Sequence, residues 1–133
     1  AEYIKSKIHD QPRVLIVDDV PDIAYSLSLA LELGGHDVRQ AHSGREALDI
    51  AGDFNPEVVI LDIGLPDIDG YALARALRER PATADALLIA VSGYGQDSDR
   101  EKSRNAGIDH HLAKPADLKE LLALIGGWAV RSA

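Results

Sequence analysis

The strongest indication of the fold is the segment Val58-Val59-Ile60-Leu61-Asp62, in which four branched apolar residues lead directly to a carboxylate. Two other segments have the same design. Val14-Leu15-Ile16-Val17 leads to Asp18-Asp19, and Leu87-Leu88-Ile89-Ala90-Val91 leads to Ser92-Gly93. Apolar runs of this length without polar alternation are typical of strands buried on both faces of a parallel sheet. We therefore predict three central strands, each with polar residues at its carboxyl end.

Two shorter segments are candidates for further strands. Asp37-Val38-Arg39-Gln40 is predicted at an edge of the sheet, and Asp109-His110-His111-Leu112 precedes Lys114-Pro115. Helical patterns separate the strands, so the predicted order is a strand followed by a helix, five times over. This order indicates a doubly wound α/β fold, with a five-stranded parallel sheet and helices on both of its faces.

The first and last helices are predicted from apolar residues at helical spacing. Ile23, Leu27 and Leu31 would lie on one face of a helix that ends at Gly34-Gly35. The last helix is predicted to end at Gly126-Gly127 and to carry an apolar face of its own. That face would consist of Leu118, Leu121, Leu122 and Ile125.

The helices between them are marked by capping residues. Ser43-Gly44-Arg45-Glu46 and Ser98-Asp99-Arg100-Glu101 both have the spacing of a capping box, which satisfies the free amides at a helix start. Asp69 is predicted to cap a third helix, which ends near Pro81. Gly107 is predicted to stop the helix that begins at the second capping box.

The composition restricts the class of protein. The 133 residues fit a single domain over the whole chain, residues 1–133, with its core at about 13–128 and short tails. With 14 Lys and Arg against 22 Asp and Glu, the net charge of −8 argues against binding nucleic acid or an anionic membrane through the chain's own field. The absence of cysteine excludes disulfides and thiolate zinc sites. No run of apolar residues is long enough to span a bilayer, and we expect a cytoplasmic protein without a membrane partner.

Polar residues follow four of the strands, and the carboxyl ends of parallel strands meet at one edge of a sheet. These residues are Asp18, Asp19, Asp62, Ser92 and Lys114. Carboxylates that lie so close together repel one another unless a hard divalent cation neutralises their charge. Oxygen ligands of this kind favour Mg²⁺. Lys114 and Ser92 could donate to the oxygens of a phosphoryl group. Each residue alone could be a helix cap, a turn residue or a solvated lysine, so the prediction of a site rests on their meeting at one edge.

The same residues resemble the response-regulator receiver domains of two-component signalling, the CheY-like family. The resemblance extends over about residues 13–128, nearly the whole chain. It is carried by Asp18-Asp19, by Asp62 with the eight residues after it, by Ser92-Gly93 and by Lys114-Pro115. It implies the flavodoxin-like strand order 2-1-3-4-5. It also implies a signalling domain that is not an enzyme, although it promotes its own phosphoryl transfer and dephosphorylation.

The resemblance implies a role for each acidic residue. Asp62 would accept a phosphoryl group from a phosphohistidine on a histidine kinase or a phosphotransfer protein. Asp19 would bind Mg²⁺ directly and Asp18 would help through water, with Asp62 and the backbone carbonyl of Gly64 as the other metal-binding residues. Gly64 and Tyr94 would flank the phosphoryl group, where their size would influence the access of water.

The resemblance also implies roles for the donors. Lys114 would contact the phosphoryl oxygens, and its bond to Pro115 is commonly cis in the family. Ser92 would move to bond the phosphoryl group. The switch position three residues before the lysine is generally Phe or Tyr, and here it is His111. Its imidazole can change rotamer and, unlike Phe, can titrate near neutral pH; the alternative is a histidine that points to solvent.

Repacking of Ser92 and His111 would reshape the face formed by the fourth helix, fifth strand and fifth helix, which we predict to contact a downstream protein or an attached domain. A stand-alone receiver and the receiver of a hybrid histidine kinase both fit. The alternative function is a pseudo-receiver that binds proteins independently of phosphorylation. A calcium loop around Gly70 lacks the carboxylates it requires, and a dinucleotide site would need glycines where Asp18-Asp19 stand.

Overall fold

Five parallel strands form the central sheet of the structure, a computed structural model that describes residues 11–93 and 100–132. The strands are β1 (Val14–Val17), β2 (Val38–Ala41), β3 (Val58–Asp62), β4 (Leu87–Ser92) and β5 (His110–Ala113). Their spatial order is β2-β1-β3-β4-β5, and every neighbouring pair is parallel. The predicted fold class and strand order are confirmed, with β2 at an edge and with β2 and β5 each beginning one residue later than predicted.

Residues that alternate along the central strands build two hydrophobic cores, one on each face of the sheet. In β1, Leu15 and Val17 belong to one core, whereas Val14 and Ile16 belong to the other. All residues of β1, β3 and β4 are buried. The interpretation of their continuous apolar runs as strands covered on both faces is therefore confirmed.

Helices cover both faces of this sheet. They are α1 (Pro21–Leu33), α2 (Gly44–Phe54), α3 (Gly70–Arg78), α4 (Arg100–Asn105) and α5 (Leu118–Ser132). Residues of α1 and α5 pack into one core, and residues of α2 and α3 pack into the other. Within the described residues, no helix is both long and apolar enough to cross a membrane. The predicted capping box at residues 98–101 begins outside the described residues.

Helix α1 turns a different face to the core than predicted. Leu31 is buried and Leu27 is partly buried, but Ile23 is 45% exposed. Ala24 and Ser28 are buried instead. Because a helical turn has 3.6 residues, positions spaced by four drift around the helix, and Ile23 has drifted away from the sheet.

Helix α5 does not end at Gly126-Gly127 as predicted but continues to Ser132. Ala129 is only 3% exposed and lies one turn beyond Ile125, and Trp128 packs on the same core. Glycine in a helix is less favourable than alanine by roughly 1 kcal/mol. Burial of the residues that follow outweighs this local preference, so the predicted carboxyl-terminal tail is part of the helix.

The buried face of α5 is also narrower than predicted. Leu121 and Ile125 are buried, whereas Leu118 and Leu122 are 37% and 41% exposed. Burial therefore follows a single four-residue spacing along this helix.

The caps of α2 and α3 are confirmed. The backbone N–H of Glu46 donates to Ser43 Oγ at 3.1 Å, and Glu46 Oε1 accepts from the backbone N–H of His42 at 2.7 Å. Asp69 Oδ1 accepts from the backbone N–H of Tyr71 at 2.7 Å. These contacts start both helices close to the positions that the sequence indicates.

Asp67 joins the loop after β3 to the start of α2. Its Oδ1 accepts from the backbone N–H of Gly44 at 2.9 Å, and its Oδ2 accepts from that of Arg45 at 3.0 Å. These two bonds favour the charged carboxylate and lower the pKa of Asp67 below its ordinary value of 3.8. The negative charge also lies at the amino-terminal end of a helix, where the helix dipole favours it.

We expect Asp67→Asn to lower the free energy of unfolding at pH 7, because an amide offers one acceptor oxygen and no charge to the two backbone amides. A lowered pKa in the folded chain means that this stabilisation is complete above pH 3.8 and is lost as the pH falls through the lower value. Urea unfolding of both chains should therefore show a difference at neutral pH that closes in strong acid. Asp49→Asn, on the exposed side of α2, is the control. Equal effects of the two substitutions would contradict the assignment.

Arg78, the last residue of α3, joins three segments at the amino-terminal ends of β4 and β5. Its Nη1 donates to the carbonyl oxygens of Ala84 and Ala86 at 2.9 and 2.6 Å. Its Nε and Nη2 donate to the carbonyl oxygen of Gly107 at 2.9 and 2.8 Å, and Nη2 lies 2.9 Å from Asp109 Oδ2. The side chain of Asp109 is thus used in this cluster, and the strand predicted to begin there begins at the next residue.

Candidate functional site

Three carboxylates meet at the carboxyl edge of the sheet, as predicted. Strands β1 and β3 are neighbours with Val17 beside Leu61, so the next residues, Asp18 and Asp62, also lie side by side. Oxygen atoms of Asp18, Asp19 and Asp62 all lie within 4.8 Å of one another. Asp18 and Asp62 are 4% and 2% exposed, whereas Asp19 is open to solvent. Two of the three charges are therefore held where water screens them poorly.

Lys114 reaches both buried carboxylates from the end of β5. Its Nζ lies 2.9 Å from Asp62 Oδ2 and 3.2 Å from Asp18 Oδ2. Partial burial alone would lower the pKa of Lys114, but the hydrogen bonds and negative charges of Asp62 and Asp18 outweigh it and raise the pKa above 10.5. The ammonium is therefore charged at neutral pH. The peptide bond between Lys114 and Pro115 is cis, as the resemblance implied.

Backbone amides hold the other oxygen of each buried carboxylate. Asp62 Oδ1 accepts from the N–H of Gly64 at 2.9 Å, and Asp18 Oδ1 accepts from the N–H of Val20 at 2.9 Å. In both carboxylates, Oδ1 therefore accepts a hydrogen bond from the backbone amide two residues later, and Oδ2 contacts the ammonium of Lys114. The side chain of Val20, the N-cap residue of α1, makes no capping hydrogen bond, but Asp18 contacts the start of this helix through Oδ1. Because Asp18 also contacts Lys114 through Oδ2, capping of the first helix is not its only contact.

The donor set fits a hard divalent cation. Three carboxylates and one ammonium leave two negative formal charges in a mostly buried cluster. Carboxylate oxygens and backbone carbonyls are the ligands that Mg²⁺ prefers, and one such ion would neutralise the cluster. The residues at this edge are thus suited to the predicted metal.

The hydroxyl of Ser92 lies at the end of β4 and contacts the predicted switch residue. Ser92 is 4% exposed, and its Oγ is 3.0 Å from Nε2 of His111. The Nδ1 atom of His111 is 2.7 Å from Oγ of Ser103 in α4. The alternative of a histidine that points to solvent is therefore wrong. Tyr94, which the sequence analysis placed beside the phosphoryl group, lies outside the described residues.

Two residues that support the site were missed by sequence reasoning. Ser103 carries no recognisable signal, because a polar residue in a predicted helix is usually solvated, yet it is 5% exposed. Gly70 lies against the strand that ends in Asp62. A Cβ at Gly70 would be 2.5 Å from Cα of Ile63 and 2.9 Å from the carbonyl oxygen of Asp62. Its position directly after the capping residue Asp69 was the signal that could have indicated this close approach.

A sheet of order 2-1-3-4-5 with carboxylates and a lysine at its carboxyl edge defines a flavodoxin-like α/β protein with an acidic site. Within that class, residues 14–126 match the family model described as the response regulator receiver domain. The chain therefore belongs to this family. Receiver domains are signalling modules that bind Mg²⁺ at an acidic pocket and interact with histidine kinases.

Similar proteins agree with this assignment. The chain is 37% identical, over 114 residues, to the DNA-binding dual master transcriptional regulator RpaA of Synechocystis, covering 86% of this chain and 47% of RpaA. A CheY-like receiver domain protein of Methanospirillum hungatei has a TM-score of 0.83 at 30% identity, covering 92% of this chain and 96% of that one. A response regulator protein of Burkholderia pseudomallei, solved with a phosphorylated aspartic acid, a calcium ion and citrate, has a TM-score of 0.79 at 31% identity, with coverages of 91% and 70%. The chain spans about half the length of the curated relatives it matches.

Proposed function

We propose that this chain is a phosphoacceptor that receives a phosphoryl group on Asp62 from a phosphohistidine of a histidine kinase or phosphotransfer protein. The observation that carries the proposal is the environment of Asp62. Its carboxylate is 2% exposed and oriented at both oxygens, by the Gly64 amide and by Lys114. A carboxylate fixed in this way is oriented to attack a phosphorus atom, and the neighbouring cation can stabilise the negative charge of the phosphorylated product.

The transfer would proceed by attack of an Asp62 carboxylate oxygen on the phosphorus of the phosphohistidine. The new O–P bond forms as the P–N bond breaks, and the electron pair of that bond returns to the imidazole nitrogen of the donor. Lys114 would stabilise charge on the phosphoryl oxygens through its ammonium. Mg²⁺, held by Asp18, Asp19, Asp62 and the carbonyl of Gly64, would supply further positive charge.

Ser92 is the second donor to the phosphoryl group in this proposal. Its hydroxyl lies at the end of β4, the strand between β3 with Asp62 and β5 with Lys114. Because His111 contacts the same hydroxyl, a change at Ser92 would reach β5 and α4. We propose the face formed by α4, β5 and α5 as the surface that a downstream protein or attached domain reads.

The experiment that tests the proposal adds Mg²⁺ and beryllofluoride, a mimic of the phosphoryl group, to the wild type and to Asp62→Asn, followed by amide NMR. We expect shifts around Asp62, Ser92 and His111 in the wild type that require the metal. The variant, which keeps the shape of Asp62 but not its charge, should show none of them. Silence in both chains would favour the pseudo-receiver, in which the fold binds partners independently of phosphorylation.

Several narrower predictions concern the whole protein and not only the 133 residues of this sequence. The relative RpaA is described as DNA-binding, and this chain spans 47% of it. A nucleic-acid partner of the whole protein is therefore compatible with the match, and the prediction of no direct nucleic-acid contact concerns only the acidic segment itself. The single domain, the cytoplasmic location and the place in a hybrid kinase stay predictions.

A further inference from the structure

We propose that Ser103 of α4 is a positioning residue for Ser92, and that it acts by holding His111 in the neutral tautomer that carries its hydrogen on Nε2. The inference rests on the proposed function, because it concerns which way the hydroxyl of Ser92 donates. Ser103, His111 and Ser92 form a continuous chain of polar contacts across α4, β5 and β4.

The geometry of this chain is close and largely shielded from water. The Oγ of Ser103 is 2.7 Å from Nδ1 of His111, and the Oγ of Ser92 is 3.0 Å from Nε2. The two serines are 5% and 4% exposed. The ring of Tyr71 lies beside the imidazole, with the two ring centroids 6.4 Å apart and the ring planes at 50°. Both contacts are within hydrogen-bond distance, and buried polar groups of this kind are nearly always bonded.

Counting hydrogens leaves two possible directions for this chain of contacts. A neutral imidazole has one N–H and one nitrogen that only accepts. If Nδ1 carried the hydrogen, Nε2 would accept from Ser92, and the single hydroxyl hydrogen of Ser92 would then point away from the phosphoryl site. If Nε2 carries the hydrogen, it donates to Ser92 Oγ, and the hydroxyl hydrogen of Ser92 stays available for a phosphoryl oxygen.

The hydroxyl of Ser103 can donate to Nδ1 or accept from it, so the 2.7 Å contact fits either tautomer. In this proposal the hydroxyl donates, so Nδ1 accepts and Nε2 carries the hydrogen. Removing the hydroxyl of Ser103 would then take away the donor that favours hydrogen on Nε2. Ser103 would thus influence a donor to the phosphoryl group from a different helix, without touching the group itself.

The first test reads the tautomer directly, by long-range ¹H–¹⁵N correlation of the imidazole nitrogens at about pH 8, above the ordinary histidine pKa of about 6.5. It needs neither metal nor phosphoryl mimic. We expect the wild type and Ser103→Thr, which keeps a hydroxyl, to show hydrogen on Nε2 of His111. Ser103→Ala should shift the population toward Nδ1. Ser28→Ala, which removes a buried hydroxyl from α1 on the opposite face, should leave it unchanged.

The second test measures beryllofluoride affinity in the presence of Mg²⁺ on the same four chains. Loss of one oriented hydrogen bond predicts weaker binding to Ser103→Ala by roughly three- to tenfold, with recovery in Ser103→Thr. Hydrogen on Nδ1 in the wild type, a charged imidazole, or a tautomer indifferent to Ser103→Ala would overturn the assignment. A shifted tautomer with unchanged affinity would overturn the link to Ser92. Failure of the wild type to bind beryllofluoride would instead refute the proposed function, and with it the purpose of the contact.

Discussion

A Lys114→Met chain should accept phosphoryl groups roughly 100 to 1,000 times more slowly than the wild type. Lys114 is the ammonium that contacts both buried carboxylates, and methionine keeps most of its length while removing the charge. The lost stabilisation would fall on the transition state, where negative charge spreads over the transferring oxygens. Intact-mass spectrometry of the chain mixed with acetyl phosphate and Mg²⁺ would give the rates without a partner kinase.

Lys119→Met is the matched control for this prediction, because Lys119 lies exposed in the first turn of α5. Its rate should equal that of the wild type. A Lys114→Met chain that reacts at the wild-type rate would remove Lys114 from the proposed mechanism, whatever the fate of Asp62.

The Lys114→Met chain should also lack the part of the pH dependence of stability that comes from titration of Lys114. The pKa of Lys114 is raised in the folded chain, so its pairing with Asp62 and Asp18 stabilises the fold fully below the ordinary value of 10.5. This contribution disappears as the pH rises through the raised value. In the absence of metal, the difference in unfolding free energy between the wild type and Lys114→Met should therefore shrink above pH 10.5.

Arg78→Met should lower the free energy of unfolding by about 2–4 kcal/mol. The guanidinium donates to three carbonyl oxygens and pairs with Asp109, and its side chain is only 23% exposed. Methionine fills similar space but leaves these acceptors without their donor. Denaturant unfolding at neutral pH, with the slope checked for two-state behaviour, would measure the loss.

Arg75→Met, on the exposed side of the same helix, is the control for Arg78→Met and should change stability by less than about 0.5 kcal/mol. Arg78→Lys separates charge from geometry, because one ammonium cannot reproduce the planar set of donors. We expect it to recover only part of the loss. Full recovery would show that charge alone matters at this position.

Much of the fold could be predicted because its sequence signals are local and strong. The apolar runs of β1, β3 and β4 are typical of strands in a sheet covered on both faces, and their carboxyl ends place Asp18 and Asp62 together. The acidic site could be predicted for the same reason, since strand order brings its residues to one edge.

The rest depends on tertiary packing, which local patterns do not contain. The local conformational preference of Gly126-Gly127 favours the end of a helix. Helix α5 nevertheless continues past these glycines, because Ala129 beyond them is buried. Ile23 fits a helical spacing, but the sheet selects the neighbouring stripe of α1. Ser103 becomes informative only once α4 is seen against His111.

We expect the attachment made by Arg78 to limit how α4 can move. The carbonyl of Gly107, just beyond the end of α4, is bound by two nitrogens of Arg78, and a Cβ at Gly107 would be 2.8 Å from Cγ of Arg78. The site lies at the other ends of the strands that α4 connects. A displacement that begins at Ser92 would therefore act on a helix, α4, whose carboxyl-terminal end is held in place by Arg78. Helix α4 would swing about Gly107 as a pivot, with the greatest travel at its amino-terminal end, instead of sliding along the sheet.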